Sequence, residues 1–496
     1  MGLGWMSFTF EVKQSQEQTK EQPVQYVTVL NIDTKRDTTV FTPNGVKALI
    51  HHYYTVLSSS RYPSFPALLL IGPPGVGKST AVREATQEIA AKLGKKFVDI
   101  TSRENRYMVL NEIESCLSKG DRRAVQSCLD EKGYFVFLDL RLTEVEPSDL
   151  IGIPYRIGDK LETSKMEYTP PIWALILHYL PGILFLDEIS NVNRPDVMSV
   201  AYKLLLDRAA GFVDFNRGVM VVAAGNLPGH APGLAQSLPP PVINRSSVAL
   251  VEAPSVDEWY KWMVENLRKA FTQAGGDAVV NEQALSEHMD TLNIVYAFLS
   301  NFPEHFLSLK YDPKTNENFP TPRSWSHFVF TTPAGLIRSL VASGKYNALL
   351  ALISSYVGSE TAEEFLPILK EGSMIDVDKI IENPKLVGEL IDEAPDTGTK
   401  INRLIALVGM VPAKIRDMIH DISSDTLINI TSEVIAAGDK IRKGLGCSAA
   451  RSMYIPIFGT LVELAGQRKL VGKQAKETPV SKVSKLGFYI KRVCGE

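Results

Sequence analysis

The sequence predicts an α/β protein: a three-layer domain with a mainly parallel sheet, followed by an almost wholly helical second half. Up to about residue 254, short apolar runs alternate with helical patterns, which is the arrangement that parallel sheets with crossover helices require. Beyond about residue 255 the apolar residues recur with helical periodicity. A glycine-rich turn separates the first buried run from the first long amphipathic pattern, so this domain begins with a strand, a loop and a helix.

Each element follows from its own local pattern. Residues 1–40 are polar except for one alternating run, VQYVTVLNI, which predicts a strand, and a helical pattern starts after Phe41. Residues 101–133 form a helical insertion before the second buried strand, and no internal repeat is evident. The buried strands are predicted at ALLLIG (67–72), YFVFLDL (134–140), GILFLDEI (182–189), GVMVVAAGN (218–226) and SVALVEAP (247–254).

The overall composition is that of an ordinary soluble protein with several domains. The chain has 496 residues, of which 45% are apolar and 22% charged, and its formal net charge is -3. Such a balance excludes a general electrostatic attraction to nucleic acid or to anionic lipid, so binding of that kind needs a local basic patch. The most apolar stretch, from Trp173 to Ser190, is interrupted well short of the ~20 residues of a membrane span, and no export signal is recognisable.

Cysteine usage predicts neither a zinc site nor a disulfide framework. The four cysteines are far apart in the sequence, with no CxxC pair and no histidine cluster nearby. We therefore expect a reducing, cytoplasmic environment. The four positions are Cys116, Cys128, Cys447 and Cys494.

A phosphate-binding loop stands between the first buried strand and the helix after it. The segment fits the pattern G-x-x-x-x-G-K-[ST] in the strand-to-helix context that the motif requires. Its glycines let backbone N–H groups surround phosphates at a helix N-terminus, while Lys78 adds a positive charge and Ser79 offers a magnesium ligand. The predicted loop residues are Gly72, Pro73, Pro74, Gly75, Val76, Gly77, Lys78, Ser79 and Thr80.

An acidic pair ends the third of these strands. Four apolar residues bury that strand and leave Asp187 and Glu188 at its carboxyl end, the edge at which open α/β sheets bind ligands. We expect Asp187 to contact magnesium and Glu188 to polarise an attacking water, because phosphoryl transfer depends on positioning and charge neutralisation. Asp139 ends another strand, but a basic residue follows closely and we interpret it as structural.

Three further polar residues are candidates for contact with a γ-phosphate. Asn226 ends the strand GVMVVAAGN, where its amide is able to contact a γ-phosphate and a water, although asparagine is also a common strand-ending residue. Arg245 and Arg323 lie in turn-rich segments after the core strands. The planar, permanently charged guanidinium suits a γ-phosphate, whereas a single surface arginine is more often simply solvated.

The order of these motifs resembles that of the AAA+ ATPases and, within them, of the MoxR-like branch. The resemblance covers roughly residues 41–385 and is strongest over 66–260. The segments that carry it are PSDLIGIP (147–154), YTPPIWALILHYLPGILFLDEIS (168–190), YKLLLDRAAGFVDF (202–215), VVAAGN (221–226), NRSSVALVEAPSVDEW (244–259) and TPRSW (321–325).

The resemblance implies roles for several residues. Asn226 becomes the first sensor, Arg245 the finger that reaches a neighbour's nucleotide, and Arg323 the second sensor, acting in its own subunit or across the interface. Ser246 stands where the family has an aromatic residue. An insertion at about 149–171 would point to a central pore or form an ordinary surface loop; its exposed candidates are Tyr155, Arg156, Lys160 and Tyr168, and a second hairpin would lie at about 209–219.

The change of sequence pattern predicts domain boundaries near residues 254 and 340. Together with the resemblance, these give an N-terminal extension (1–40), an AAA+ α/β nucleotide-binding domain (41–254), a helical lid (255–340) and a helical C-terminal region with a basic tail (341–496). The implied cofactors are ATP and Mg²⁺, and the implied assembly is a homo-oligomeric ring, usually of six subunits. A protein client and a von Willebrand factor A-type partner protein would complete the system.

The predicted activity is ATP hydrolysis that remodels, assembles or activates protein clients. One alternative is a nucleic-acid-stimulated motor, and another is a nucleotide-gated binding scaffold with little turnover. Residues 468–496 hold eight basic and two acidic side chains, a balance of 8 - 2 = +6. That run would suit nucleic acid or an acidic surface, but basic ends of chains are more often solvated, which is the interpretation we favour.

Overall fold

The structure is a computed structural model that describes residues 26–31, 36–59, 65–158, 164–226, 238–272, 281–310 and 316–417, together with residues 426, 429–430, 433–434 and 436–437. The strands are β1 (Tyr26–Asn31), β2 (Arg36–Phe41), β3 (Ala67–Ile71), β4 (Lys96–Asp99), β5 (Tyr134–Arg141), β6 (Ile153–Ile157), β7 (Lys165–Thr169), β8 (Gly182–Asp187), β9 (Ala209–Ala210), β10 (Val213–Asp214), β11 (Val219–Gly225) and β12 (Ser246–Leu250). The helices up to the last strand are α1 (Pro43–Ser59), α2 (Lys78–Lys92), α3 (Arg103–Leu117), α4 (Arg122–Lys132), α5 (Pro147–Ile151), α6 (Ile172–Tyr179), α7 (Pro195–Asp207) and α8 (Pro240–Asn244). The later helices are α9 (Val256–Ala270), α10 (Glu282–Asn301), α11 (Pro322–Thr331), α12 (Ala334–Ala342), α13 (Tyr346–Val357), α14 (Ser359–Ser373), α15 (Val377–Glu382), α16 (Leu386–Asp392) and α17 (Thr397–Asp417).

A six-stranded parallel sheet forms the centre of the first half, in the order β12-β3-β11-β8-β5-β4. Parallel neighbours need crossover connections, so helices cover both faces of the sheet. In β3, Leu68 and Leu70 join the apolar cluster on one face, while Ala67, Leu69 and Ile71 join the cluster on the other. The predicted three-layer α/β fold with a phosphate loop is confirmed.

Helices α9 to α17 make up the second half. Ser255 begins α9 through a capping box with Glu258, in which each side chain accepts a hydrogen bond from the other residue's backbone N–H. One hydrophobic cluster, with Phe298, Trp325 and Phe365 fully buried, contains side chains from α9 through α17 together with Ile430, Val434 and Ala437. The predicted helical region therefore shares a core that is separate from those of the sheet, and the proposed boundaries near 254 and 340 remain predictions.

Two small hairpins project from the α/β half, and neither pair of strands follows from the sequence pattern. Strands β6 and β7 pair antiparallel inside the predicted insertion, and β9 pairs with β10 inside the predicted second hairpin. Every side chain of β6 is exposed, and the ring of Phe212, which is 72% exposed, lies tilted against that of Tyr168 with ring centroids 5.3 Å apart. Lys160 lies outside the described residues.

The expectation that the cysteines stay unpaired is wrong for two of them. Cys116 in α3 and Cys128 in α4 form a disulfide, with Cα atoms 5.6 Å apart. A short turn folds these two helices against each other, and this brings together two residues whose spacing of 12 carries no pairing signal in the sequence. Cysteine usage consequently no longer argues for a reducing compartment. Cys447 and Cys494 lie outside the described residues.

Within the described ranges, no helix has both the length and the apolar character needed to cross a bilayer.

Candidate functional site

The predicted phosphate loop joins the carboxyl end of β3 to the first residue of α2. Gly75 and Gly77 have φ values of 74° and 99°, a left-handed region that glycine adopts without strain. A Cβ at Gly72 would lie 2.1 Å from the carbonyl oxygen of Val251, and one at Gly75 would lie 2.8 Å from Thr321 Oγ1. The left-handed backbone and the closeness of neighbouring atoms thus require glycine at these loop positions. The loop leads directly into the N-terminus of α2, where the first backbone N–H groups have no partner within the helix and suit an anion.

Lys78 is buried among three oxygen acceptors. Its Nζ donates hydrogen bonds to the carbonyl oxygens of Gly72 at 2.9 Å and Pro73 at 2.7 Å, and to Asn226 Oδ1 at 3.1 Å. Burial lowers the pKa of Lys78 to about 8; the nearby Asp187 carboxylate opposes this shift, and Arg323 adds to it. A polyanion at the loop would therefore stabilise the charged form of Lys78.

Ser79 and Asp187, the two residues predicted to contact magnesium, lie side by side. Ser79 Oγ donates to Asp187 Oδ2 at 2.8 Å, across 108 residues of sequence. A hydroxyl and a carboxylate form an all-oxygen donor set of the kind that Mg²⁺ takes when substrate phosphates and water complete its coordination. The described residues contain no group of three or more His, Cys, Asp or Glu side chains able to hold a metal without such help.

Glu188 occupies a constrained backbone position directly after β8. Its φ of 59° lies in the left-handed region, which is uncommon for a residue with a side chain, and its backbone N–H donates to Asp187 Oδ1 at 2.9 Å. Thr143 Oγ1 donates to Glu188 Oε2 at 3.0 Å and so orients the carboxylate. The sequence offered no signal for Thr143, which follows β5 and lies 45 residues away.

Asn226 lies at the same edge of the sheet, directly after β11. Besides accepting from Lys78, it donates its backbone N–H to Ser190 Oγ at 2.8 Å. Strand β11 lies between β3 and β8, so Asn226 falls between the phosphate loop and the acidic pair. Four of the predicted residues, Lys78, Ser79, Asp187 and Asn226, are therefore gathered in one place.

Asp139, interpreted from sequence as structural, lies close to this group. Burial, helped by the neighbouring Asp187 carboxylate and opposed by Arg141 and Arg83, raises the pKa of Asp139 to about 6. Its Oδ1 atom is buried without a hydrogen-bond partner among the described residues, and its backbone N–H donates to Thr101 Oγ1 at 2.9 Å. A buried carboxylate in this position destabilises the fold when it is ionised.

The two predicted arginines lie in different places. The backbone N–H of Arg323 donates to the carbonyl oxygen of Gly75 at 3.1 Å, and its exposed side chain lies close enough to Lys78 to lower that lysine's pKa. Arg245 is exposed immediately before β12, and Ser246 pairs with Ala67 at the start of β3. The five-residue length of β3 therefore separates Arg245 from the loop, roughly 17 Å at about 3.3 Å per residue.

A cavity of about 410 Å³ opens beside the phosphate loop, between α1, α2, α9 and α11. Its walls are largely apolar, with Trp259, Trp262 and Phe330 among them, and Glu84 and Lys47 contribute charged groups. Gly75, Val76 and Gly77 of the loop and Ser79, Thr80 and Ala81 of α2 also line it, as does Arg323 of α11. A concave apolar space with a few polar groups next to a phosphate site has the properties of a small-molecule pocket.

The fold is that of a three-layer α/β domain with a phosphate loop at the carboxyl end of its first core strand. No protein-family model matches the chain, and no curated protein sequence matches it either. Among solved structures, the Aeropyrum pernix ORC2 protein (ADPNP-ADP complexes) is similar over 71% of this chain and 74% of its own, with 13% identity and a TM-score of 0.28. NtrX from Brucella abortus in complex with ADP is similar over 80% and 68%, with 13% identity and a TM-score of 0.29.

A third solved structure, that of C. elegans PCH-2, is similar over 58% of this chain and 66% of its own, with 12% identity and a TM-score of 0.23. Because these scores are low, the fold assignment rests on the sheet order and the phosphate loop of the chain itself.

Proposed function

We propose that this chain is an AAA+ ATPase of the MoxR-like type, which hydrolyses ATP to ADP and phosphate in an oligomeric ring and remodels protein clients. The observation that carries the proposal is the convergence of Lys78, Ser79, Asp187 and Asn226 at the carboxyl edge of the sheet. Lys78 and Ser79 begin the helix after β3, Asp187 ends β8 and Asn226 follows β11. Together these residues, which are distant in sequence, supply the charge and the hydrogen bonds that phosphoryl transfer needs.

Different residues of the chain bind ATP and catalyse its hydrolysis. The loop's backbone N–H groups and Lys78 hold the triphosphate, and the cavity beside α2 holds the base. Ser79 and Asp187 are the oxygen ligands for Mg²⁺, which when bound supplies positive charge against the phosphate oxygens. Glu188, oriented by Thr143, holds the attacking water and takes up its proton, while the Asn226 amide contacts the γ-phosphate side.

The position of Arg245 supports a mechanism that involves a second subunit. Arg245 lies at the amino end of the β12–β3 strand pair, whereas the loop of its own chain follows the carboxyl end of β3. Arg245 therefore does not complete the site of its own chain. Arg323, by contrast, lies against Gly75 of its own chain. We assign Arg245 to the nucleotide of a neighbouring copy and Arg323 to the nucleotide of its own chain, in a ring for which the family form suggests six subunits.

Client remodelling is supported by the resemblance and by the exposed hairpins. Ile153 and Met166 are each 66% exposed, and Phe212 is 72% exposed, which is unusual for large apolar side chains on a projecting element. Such a surface suits contact with a protein client. The proposed von Willebrand factor A-type partner rests on the family resemblance alone.

The test begins with magnesium-dependent ATP hydrolysis by the purified protein, measured by phosphate release together with the mass of the assembly. A Glu188→Gln variant, which would bind ATP without turning it over, then serves as a trap in a pull-down to recover the client. Absence of ATP binding in the presence of magnesium would contradict the proposal. Strong stimulation by DNA would instead favour the nucleic-acid motor.

A further inference from the structure

A hydrogen bond joins the lid to the helix that carries the phosphate loop. Trp262 Nε1 in α9 donates to Glu84 Oε1 in α2 at 2.7 Å. The two residues are 178 positions apart in sequence, and each lies on a regular helix. A neutral N–H donor on an ionised carboxylate is a charge-assisted contact, which is stronger than an ordinary hydrogen bond.

The Glu84 carboxylate is also held by a cation from a third helix. Lys47 Nζ in α1 lies 3.1 Å from Glu84 Oε2 and 3.3 Å from Glu88 Oε1. Burial lowers the pKa of Lys47, but the two carboxylates outweigh that effect and hold the pKa above its usual value. Lys47 therefore stays charged, and Glu84 is fixed between a cation on one side and the Trp262 indole on the other.

All three members of this bridge line the cavity beside the loop. Pro43, Pro254 and Phe330 contribute apolar surface to the same cavity, and Asn44 and Glu258 contribute polar groups. A flat aromatic ring stacks well on an indole, and every nucleobase has such a face. The cavity adjoins the segment from Gly75 to Ala81, so a ligand whose phosphates occupy the loop would extend its base towards Trp262.

We propose that Glu84 is a positioning residue for the nucleotide base. It holds the Trp262 indole in place as one wall of the cavity, and through that contact the lid helix α9 responds to the base rather than to the phosphates. This inference rests on the proposed function, because it takes the loop as the phosphate site. The ligand class is a nucleoside triphosphate whose aromatic base reaches the indole.

The experiment compares two ligands on the full chain by calorimetry: ATP, which has both parts, and inorganic tripolyphosphate, which has no base. Trp262→Phe keeps a ring but removes the N–H donor, Trp262→Ala removes the ring, and Glu84→Ala removes the acceptor. We expect Glu84→Ala and Trp262→Ala to raise the Kd for ATP on the order of tenfold, a loss in the range measured for base–aromatic stacking. Trp262→Phe should fall between these variants and wild type.

Affinity for tripolyphosphate should be unchanged in all three variants. Glu88→Gln is the matched control, since Glu88 lies one turn further along α2 and also pairs with Lys47, yet it neither contacts Trp262 nor lines the cavity. In steady-state assays the Glu84 and Trp262 variants should have a higher KM for ATP and nearly the same kcat as wild type. A general loss of structure would instead lower kcat as well.

The outcomes separate the two proposals. If wild type binds neither ligand, the proposed function fails. If wild type binds both and the variants match it for ATP, the positioning role is overturned. Equal loss of both ligands in the variants also overturns it, because the bridge would then act on the loop rather than on the base. Should Trp262→Ala fail to fold, the milder Trp262→Phe variant and Glu84→Ala, which removes the acceptor of the Trp262 hydrogen bond, carry the same comparison.

Discussion

Lys78 Nζ donates a hydrogen bond of 3.1 Å to Asn226 Oδ1, which joins the phosphate loop to the end of a strand 148 residues later in the chain. Strand β11 is inserted between β3 and β8, and for this reason the residue that follows it lies within reach of the loop lysine. The amide holds the ammonium in place together with two loop carbonyl oxygens. Replacing these acceptors with phosphate oxygens would release the Asn226 side chain for contact with the ligand.

Loss of the loop lysine should abolish nucleotide binding. Lys78→Ala removes the buried cation at the centre of the loop, and we expect no ATP binding that calorimetry detects. Lys92→Ala is the control, because Lys92 is an exposed lysine in the last turn of the same helix. Tight ATP binding by Lys78→Ala would show that the loop does not hold the phosphates.

Neutralising Glu188 should separate binding from hydrolysis. Glu188→Gln keeps the shape of the side chain but removes the proton acceptor, so we expect turnover to fall by about 10²–10⁴-fold while ATP affinity is retained. Phosphate release and ATP binding are measured on the same preparation. Hydrolysis at the wild-type rate would mean that another group positions the water.

Arg245 should act on the nucleotide of a neighbouring copy. Arg245→Ala is expected to bind ATP normally and to lose about 10³–10⁵ in turnover, the range that arginine fingers supply elsewhere. A mixture of Arg245→Ala and Lys78→Ala subunits should recover activity, since a Lys78→Ala subunit still offers its arginine to an intact loop beside it. Failure of the mixture to exceed either variant alone would place Arg245 outside the active site.

Asp139 should make the folded protein less stable as the pH rises, whereas a carboxylate in a salt bridge makes it more stable. The pKa of Asp139 is raised from 3.8 to about 6 in the folded protein, so the protonated form favours folding and stability is lost as pH rises through that interval. We expect Asp139→Asn to be more stable than wild type at pH 7.5 by about 1 kcal/mol, after allowance for partial exposure of the group.

That gain should shrink towards zero near pH 4, where both side chains are neutral. Urea unfolding at pH 4, 6 and 7.5 measures the difference. A lower stability of Asp139→Asn at pH 7.5 would indicate that the charged carboxylate has a favourable partner.

Residues whose patterns are local were predictable from the sequence, and those brought together by the fold were not. The buried strands and the phosphate loop have dense apolar runs and glycines at fixed spacing. Strand β4 is short and begins with a lysine, so its sequence gives little contrast with a loop. Strand β6 is exposed on both faces and has no alternation to detect.

The same limit applies within the site. Thr143 and Glu84 carry no motif, and their roles arise only from contacts with Glu188 and Trp262 across 45 and 178 residues. The disulfide between Cys116 and Cys128 likewise depends on a helical hairpin that spacing alone does not reveal.

Because β12 and β3 run side by side in the same direction, each molecule has a polarity, with Arg245 at one end of this strand pair and the phosphate loop at the other. A contact that joins the arginine end of one copy to the loop end of the next is head-to-tail and contains no twofold axis. Repeating such a contact yields a closed circle at one rotation angle and an open spiral at another. Small changes in that angle would then open or close the assembly without altering which residues touch.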